Sequence, residues 1–176
     1  MAIGLIGGTG VYDPDILVNV KKEKVHTPYG APSDLLTSGN FKGKDIVILP
    51  RHGSNHTYAP HMVNYQANIF ALKQMKVDRI LSVSGVGSLN KHVKPGDFVF
   101  TDQIIDMTHG RKGTFYETGQ IAHVSGAEPF CPELRKLLAE AAKKIGVSFH
   151  EAGTCVVING PRFSTKAESN LFRSWN

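Results

Sequence analysis

The chain has 176 residues, 41% hydrophobic and 20% charged, with a net charge of +5 and only two cysteines. That length suits one domain, 1–176, with a real core, and Cys131 and Cys155 are too few for a disulfide framework, so a reducing, cytoplasmic setting is expected. Neither a basic leader nor a long apolar stretch announces export or a membrane span. The basic residues are dispersed, Lys21-Lys22-Glu23-Lys24 being their tightest run, and no nucleic-acid-binding signature appears, so no nucleic-acid partner is expected.

Ala2 to Ile6 predicts a short apolar strand that breaks at Gly7-Gly8-Thr9-Gly10. Leu35–Ser38 and Ile46–Leu49 predict two more strands, joined through Asn40 and Gly43. Asn64 is placed to cap a helix running to Lys76, with Ala67, Phe70, Ala71 and Met75 as its apolar positions. Arg79 to Ser84 predicts a strand ending at Gly85-Val86-Gly87-Ser88, and Phe98 to Ile105 another after the turn Lys94-Pro95-Gly96-Asp97. Pro132 to Ile145 carries the clearest helical pattern, opened by Pro132 and stopped by Gly146. Val147 to Ile158 supplies at least one further strand, and Thr165-Lys166-Ala167-Glu168 has the spacing of a capping box that starts a last helix. Strands interleaved with helices indicate an α/β protein with a central sheet.

Three of these strand ends carry chemistry, since ligands of open α/β sheets gather at the carboxyl ends of strands. From Ile46 to Val77 there is no Asp or Glu, yet the window holds one Arg, three His and two Lys. A cationic cluster without carboxylates, starting at Arg51-His52-Gly53, suits an anion, and phosphate is the obvious one because a guanidinium grips two oxygens at once. A surface Arg beside a packed His is the plainer alternative. A metal held by His52, His56 and His61 ranks third, because Gly53 and Pro60 oppose a continuous helix that would align them. Gly7-Gly8-Thr9-Gly10 matches neither a dinucleotide fingerprint nor a Walker A loop and on its own reads as a tight turn. Thr9 adds a hydroxyl where backbone amides also reach an anion. Ser84 and the Gly85 amide complete the set, so Thr9, Arg51, His52, Ser84 and Gly85 together form a shell for a tetrahedral oxyanion.

Gly7-Gly8-Thr9-Gly10, Arg51-His52-Gly53 with His56, Val63-Asn64-Tyr65-Gln66-Ala67-Asn68-Ile69, Gly87-Ser88-Leu89, Pro95-Gly96-Asp97, Asp102-Gln103, Glu128-Pro129-Phe130-Cys131-Pro132 and Gly160-Pro161-Arg162-Phe163-Ser164 occur in that order. This colinear set resembles the 5′-methylthioadenosine phosphorylases and their relatives among the purine nucleoside phosphorylases. The resemblance implies a nucleoside-phosphorylase-like fold, a mixed sheet flanked by helices. It implies that phosphate attacks C1′ of a purine nucleoside, in purine and methionine salvage, giving free purine and a pentose 1-phosphate. No metal or organic cofactor is implied, phosphate being a co-substrate. The same five residues fall on the family's phosphate site. Phe163 falls against the purine, Ser164 and His56 on the substrate side, and His123 where a neighbouring subunit's 5′ substituent is reached, within a homotrimer.

Family members continue with another strand, a Met-Thr pair at the sugar, an Asp- or Asn-bearing loop that reads the base, and a last helix. None of these motifs lies within residues 1–176. The expectation for 1–176 alone is therefore phosphate recognition with poor turnover and an incomplete fold. 5′-Methylthioadenosine is the favoured substrate on this resemblance and a 6-oxopurine nucleoside the alternative, since the base-reading loop that would separate them is not among these residues. No catalytic proton donor to the base is assigned. A non-catalytic phosphate- or nucleoside-binding remnant of the same fold is the alternative.

Overall fold

The computed structural model describes residues 2–8 and 14–175. They form two compact units, one made of residues up to Val86 with Arg111–Phe115, the other of Gly87–Gly110 with the residues from Tyr116 onward.

The first unit is built on a mixed five-stranded sheet. Its strands are β1 (Ala2–Gly7), β2 (Val18–Glu23), β3 (Leu36–Phe41), β4 (Lys44–Pro50) and β5 (Val77–Val83), in the order β2-β3-β4-β1-β5. β1 runs parallel to both β4 and β5, while β2, β3 and β4 form an antiparallel meander. The continuous apolar run in β4 is explained by burial on both faces. Val47 and Leu49 pack with Ile6, Leu36, Ala71 and Leu72, whereas Ile46 and Ile48 pack with Leu17. Helix α1 (Tyr65–Gln74) supplies Ala71 and Leu72, and Asn64 caps it by accepting a hydrogen bond from the Ala67 amide at 3.0 Å. The helix lies close to β1: a Cβ on Gly4 would stand 2.9 Å from Val77 Cγ1 and 3.4 Å from Leu72 Cδ2.

In the second unit, β7 (Gln103–Met107) pairs in parallel with β9 (Thr154–Ile158), and the two-residue strands β6 (Phe98–Val99) and β8 (Phe149–His150) pair likewise. The single strand expected over 98–105 is thus two strands in separate ladders, broken between Val99 and Gln103. Helix α2 (Pro132–Ile145) has the expected bounds, with Gly146 at φ +74° as its left-handed C-cap. Helix α3 (Lys166–Ser174) starts with the capping box read from the sequence: Thr165 Oγ1 accepts from the Glu168 amide, and Glu168 accepts from the Thr165 amide. Among the described residues no helix is long and apolar enough to cross a membrane.

Candidate active site

Parallel pairing places three strand ends side by side. Gly7 is in register with Pro50 on one side and Val83 on the other, so Gly8, Arg51 and Ser84 follow at the same level. The Arg51 amide continues the ladder, donating to Gly7 O at 2.9 Å. Beyond the strand the chain turns sharply at Gly53, whose φ is +75° and where a Cβ would stand 2.7 Å from Thr57 Oγ1. Only glycine fits there.

The turn fixes His52 and, through it, Arg51. The Tyr58 amide donates to His52 O at 3.0 Å, and His52 Nδ1 lies 2.9 Å from Tyr58 O. A carbonyl only accepts, so Nδ1 carries the proton and Nε2 of the neutral ring is an acceptor. Nε2 takes the Arg51 Nε–H at 3.1 Å. Arg51 Nη1 donates to Ser84 Oγ. The guanidinium is therefore held from two sides, with Nη2 lying 3.8 Å from where a Cβ on Gly8 would stand. Ser84 accepts from Arg51 and so keeps its own hydroxyl hydrogen to donate. Next to it, a Cβ on Gly85 would meet nothing within 4 Å, leaving the backbone open to a ligand.

His52 is buried, and the His56 ring stacks on it with centroids 4.7 Å apart. Burial pushes the His52 pKa down, and the nearby Arg51 and His56 push the same way against the opposing hydrogen bond to Tyr58 O. The sign of the consequence follows. With a folded pKa below the unfolded value of about 6.5, the unfolded chain binds the proton first, and stability falls as pH drops below about 6.5. His52→Gln is expected to remove this portion of the acid destabilisation, read from urea midpoints at pH 7.5 and 5.5. An identical pH dependence in the variant and the parent would contradict it.

Asp34 is a residue that sequence reasoning missed. Its carboxylate accepts from Ser54 Oγ at 2.6 Å and from the Ser54 amide, bracing the loop after Arg51. Burial works to raise its pKa, but the hydrogen bonds from Ser54 and from the Leu35 amide prevail and hold it below the ordinary value. Twenty residues separate Asp34 from Ser54, and no local motif signals the pairing. Ser33 is fixed in turn by Asn68 of α1, which accepts the Ser33 amide at 2.8 Å and donates to Ser33 Oγ at 2.9 Å.

Of the sequence-derived anion set, Arg51, His52, Ser84 and Gly85 come together, with exposed His56 against His52. Thr9 lies outside the described residues. Both ring nitrogens of His52 are engaged within the protein, an arrangement that residue identity alone did not reveal. Among the described residues no group of three or more His, Cys, Asp or Glu could hold a metal ion.

The remaining candidates belong to the second unit. Phe163 is 92% exposed in the loop between β9 and α3, and Ser164 Oγ lies 2.8 Å from Ser169 Oγ. His123 is exposed in the stretch 108–131, which contains neither helix nor strand.

A cationic, glycine-lined cluster at the carboxyl ends of parallel strands is chemically suited to an anion. Residues 2–176 match the Phosphorylase superfamily, and the chain belongs to that family. It is 56% identical over 173 residues to the S-methyl-5′-thioadenosine phosphorylase of Thermofilum pendens, covering 98% of this chain and 66% of that protein. Against the enzyme of the same name from Saccharolobus solfataricus, identity is 52%, with 98% of this chain and 64% of the relative covered. The chain thus spans about two thirds of the length of these curated relatives. Among solved structures, the methylthioadenosine phosphorylase of Schistosoma mansoni in complex with tubercidin superposes with a TM-score of 0.95 at 38% identity, over 99% of this chain and 70% of the other. The same enzyme in complex with adenine gives 0.95 at 38%, over 99% and 71%.

Proposed function

We propose that this protein cleaves the glycosidic bond of a purine nucleoside with inorganic phosphate, 5′-methylthioadenosine being the favoured substrate, and releases free purine and a pentose 1-phosphate for salvage. The observation that carries this reading is Arg51, clamped between His52 Nε2 and Ser84 Oγ at the ends of three parallel strands. A guanidinium immobilised before the anion arrives loses little freedom on binding it. Thr9, Arg51, Ser84 and the Gly85 amide would then grip the phosphate, with His52 behind Arg51.

The chemistry suits such a cradle. Departure of the purine leaves positive charge on the sugar, and a phosphate held beside C1′ is both nucleophile and electrostatic partner of that charge. Holding phosphate and nucleoside in one pose removes much of the entropic barrier. No metal or organic cofactor enters this scheme. The names of the relatives, and the adenine and tubercidin complexes of the Schistosoma mansoni enzyme, support a purine-bearing substrate. The resemblance also supports Phe163 as a purine contact, Ser164 and His56 on the substrate side, and a homotrimer in which His123 serves a neighbour's substrate. On this reading both units are parts of one nucleoside phosphorylase domain.

Incubating the purified full-length protein with methylthioadenosine, adenosine or inosine should release free base only when phosphate is present, with methylthioadenosine preferred. Base release at equal rates without phosphate would overturn the proposal.

A further inference from the structure

The loop that presents Phe163 is fastened to the first turn of α3 by one side chain. Arg162 forks onto Glu168, with Nη1 2.7 Å from Oε2 and Nη2 2.7 Å from Oε1. Nη1 also donates to the carbonyl of Phe163 at 3.0 Å. Glu168 is in turn fixed by the helix start: its Oε2 accepts from the Thr165 amide at 2.7 Å, and its own amide donates to Thr165 Oγ1 at 3.1 Å. The Arg162 hydrogen bonds first, and the Thr165 amide next, hold the Glu168 carboxyl down at about 2, so the fork stays ionised at any ordinary pH.

A capping box needs only Thr165 and Glu168. Arg162 is surplus to it, and a pair this exposed, at 56% and 32%, does little for global stability. What Arg162 does locally is more specific. It bonds the peptide oxygen of Phe163 itself and so restrains the backbone from which the ring projects. Phe163 is 92% exposed, so packing does not supply that restraint.

We propose that Arg162 is a positioning residue for purine binding: anchored on Glu168, it holds the Phe163 peptide so that the ring is ready to stack on the base before substrate arrives. This rests on the reading of Phe163 as a purine contact. A lysine at position 162 would supply the charge without the planar fork and would not substitute.

The test compares Arg162→Ala, Arg162→Lys, Glu168→Gln and Phe163→Ala in the full-length protein, measuring kcat, KM for methylthioadenosine, adenine affinity and phosphate affinity by calorimetry, and thermal midpoint. Arg162→Ala and Arg162→Lys are both expected to raise KM and weaken adenine binding on the order of tenfold, the scale of losing charge-assisted hydrogen bonds. Phosphate affinity and kcat should change less than about twofold, because the change is confined to base binding. Adding Glu168→Gln to Arg162→Ala should cost nothing further, since the two groups act as one unit. A merely structural role would lower the midpoint and weaken phosphate and adenine together, and that result overturns the proposal. Should Arg162→Ala fail to fold, Glu168→Gln carries the same comparison, with a smaller rise in KM. Unchanged adenine affinity in the Arg162 variants while Phe163→Ala loses it would overturn the positioning role and leave the Phe163 reading standing. Unchanged affinity in Phe163→Ala would overturn both.

Discussion

Replacing Arg51 with alanine is expected to weaken phosphate binding at least about tenfold, because each charge-assisted hydrogen bond it supplies is worth about 1.5–3 kcal/mol. The side chain is oriented in advance by His52 Nε2 at 3.1 Å and by Ser84 Oγ. Its loss therefore removes both the charge and a prearranged set of donors. Arg51→Lys should recover only part of the affinity: an ammonium cannot bond His52, Ser84 and a phosphate oxygen in one plane. Calorimetry on parent and variant checks this. Equal phosphate affinity in Arg51→Ala would remove Arg51 from the site and, with it, the argument for an anion cradle.

The second large effect lies under the same strand. Leu49 is fully buried among Ile6, Leu36, Val47, Ala71 and Leu72, two residues before Arg51. Truncating such a leucine leaves a cavity whose walls relax only in part, and Leu49→Ala is expected to destabilise by about 2–5 kcal/mol. Urea unfolding measures it directly. A loss under about 1 kcal/mol would mean that β4 is not the packed centre of its unit.

The parts of the fold that declare themselves in the sequence are those fixed by local chemistry. Pro132 and Gly146 bound α2 because one is suited to a first helical turn and the other to a left-handed cap. Thr165 and Glu168 start α3 because two side chains and two amides satisfy each other. Ile46–Leu49 is legible as a strand because burial on both faces demands an unbroken apolar run. β2 escaped notice for the opposite reason. All six of its residues are exposed and three of them are charged, so it has the pattern of a solvated edge strand. The division of 98–105 into β6 and β7 depends on partners some fifty residues away, Phe149–His150 and Thr154–Ile158. No local signal carries that.

The candidate site shows the same division. Arg51 beside Gly53 in a window free of carboxylates points to an anion without any coordinates. Residue types alone could not show that His52 spends one nitrogen on Tyr58 O and the other on Arg51. That is a matter of how the loop closes. Asp34 was equally out of reach, since its partner Ser54 is brought to it by the turn after β4.

The most direct test of the central claim follows the phosphorus atom. Phosphorus NMR of the full-length protein with methylthioadenosine and inorganic phosphate should show the phosphate signal giving way to a sugar phosphate ester, in step with adenine release, and Arg51→Ala should slow both together. Adenine appearing while the phosphate signal stays intact would mean hydrolysis by water and would contradict phosphorolysis.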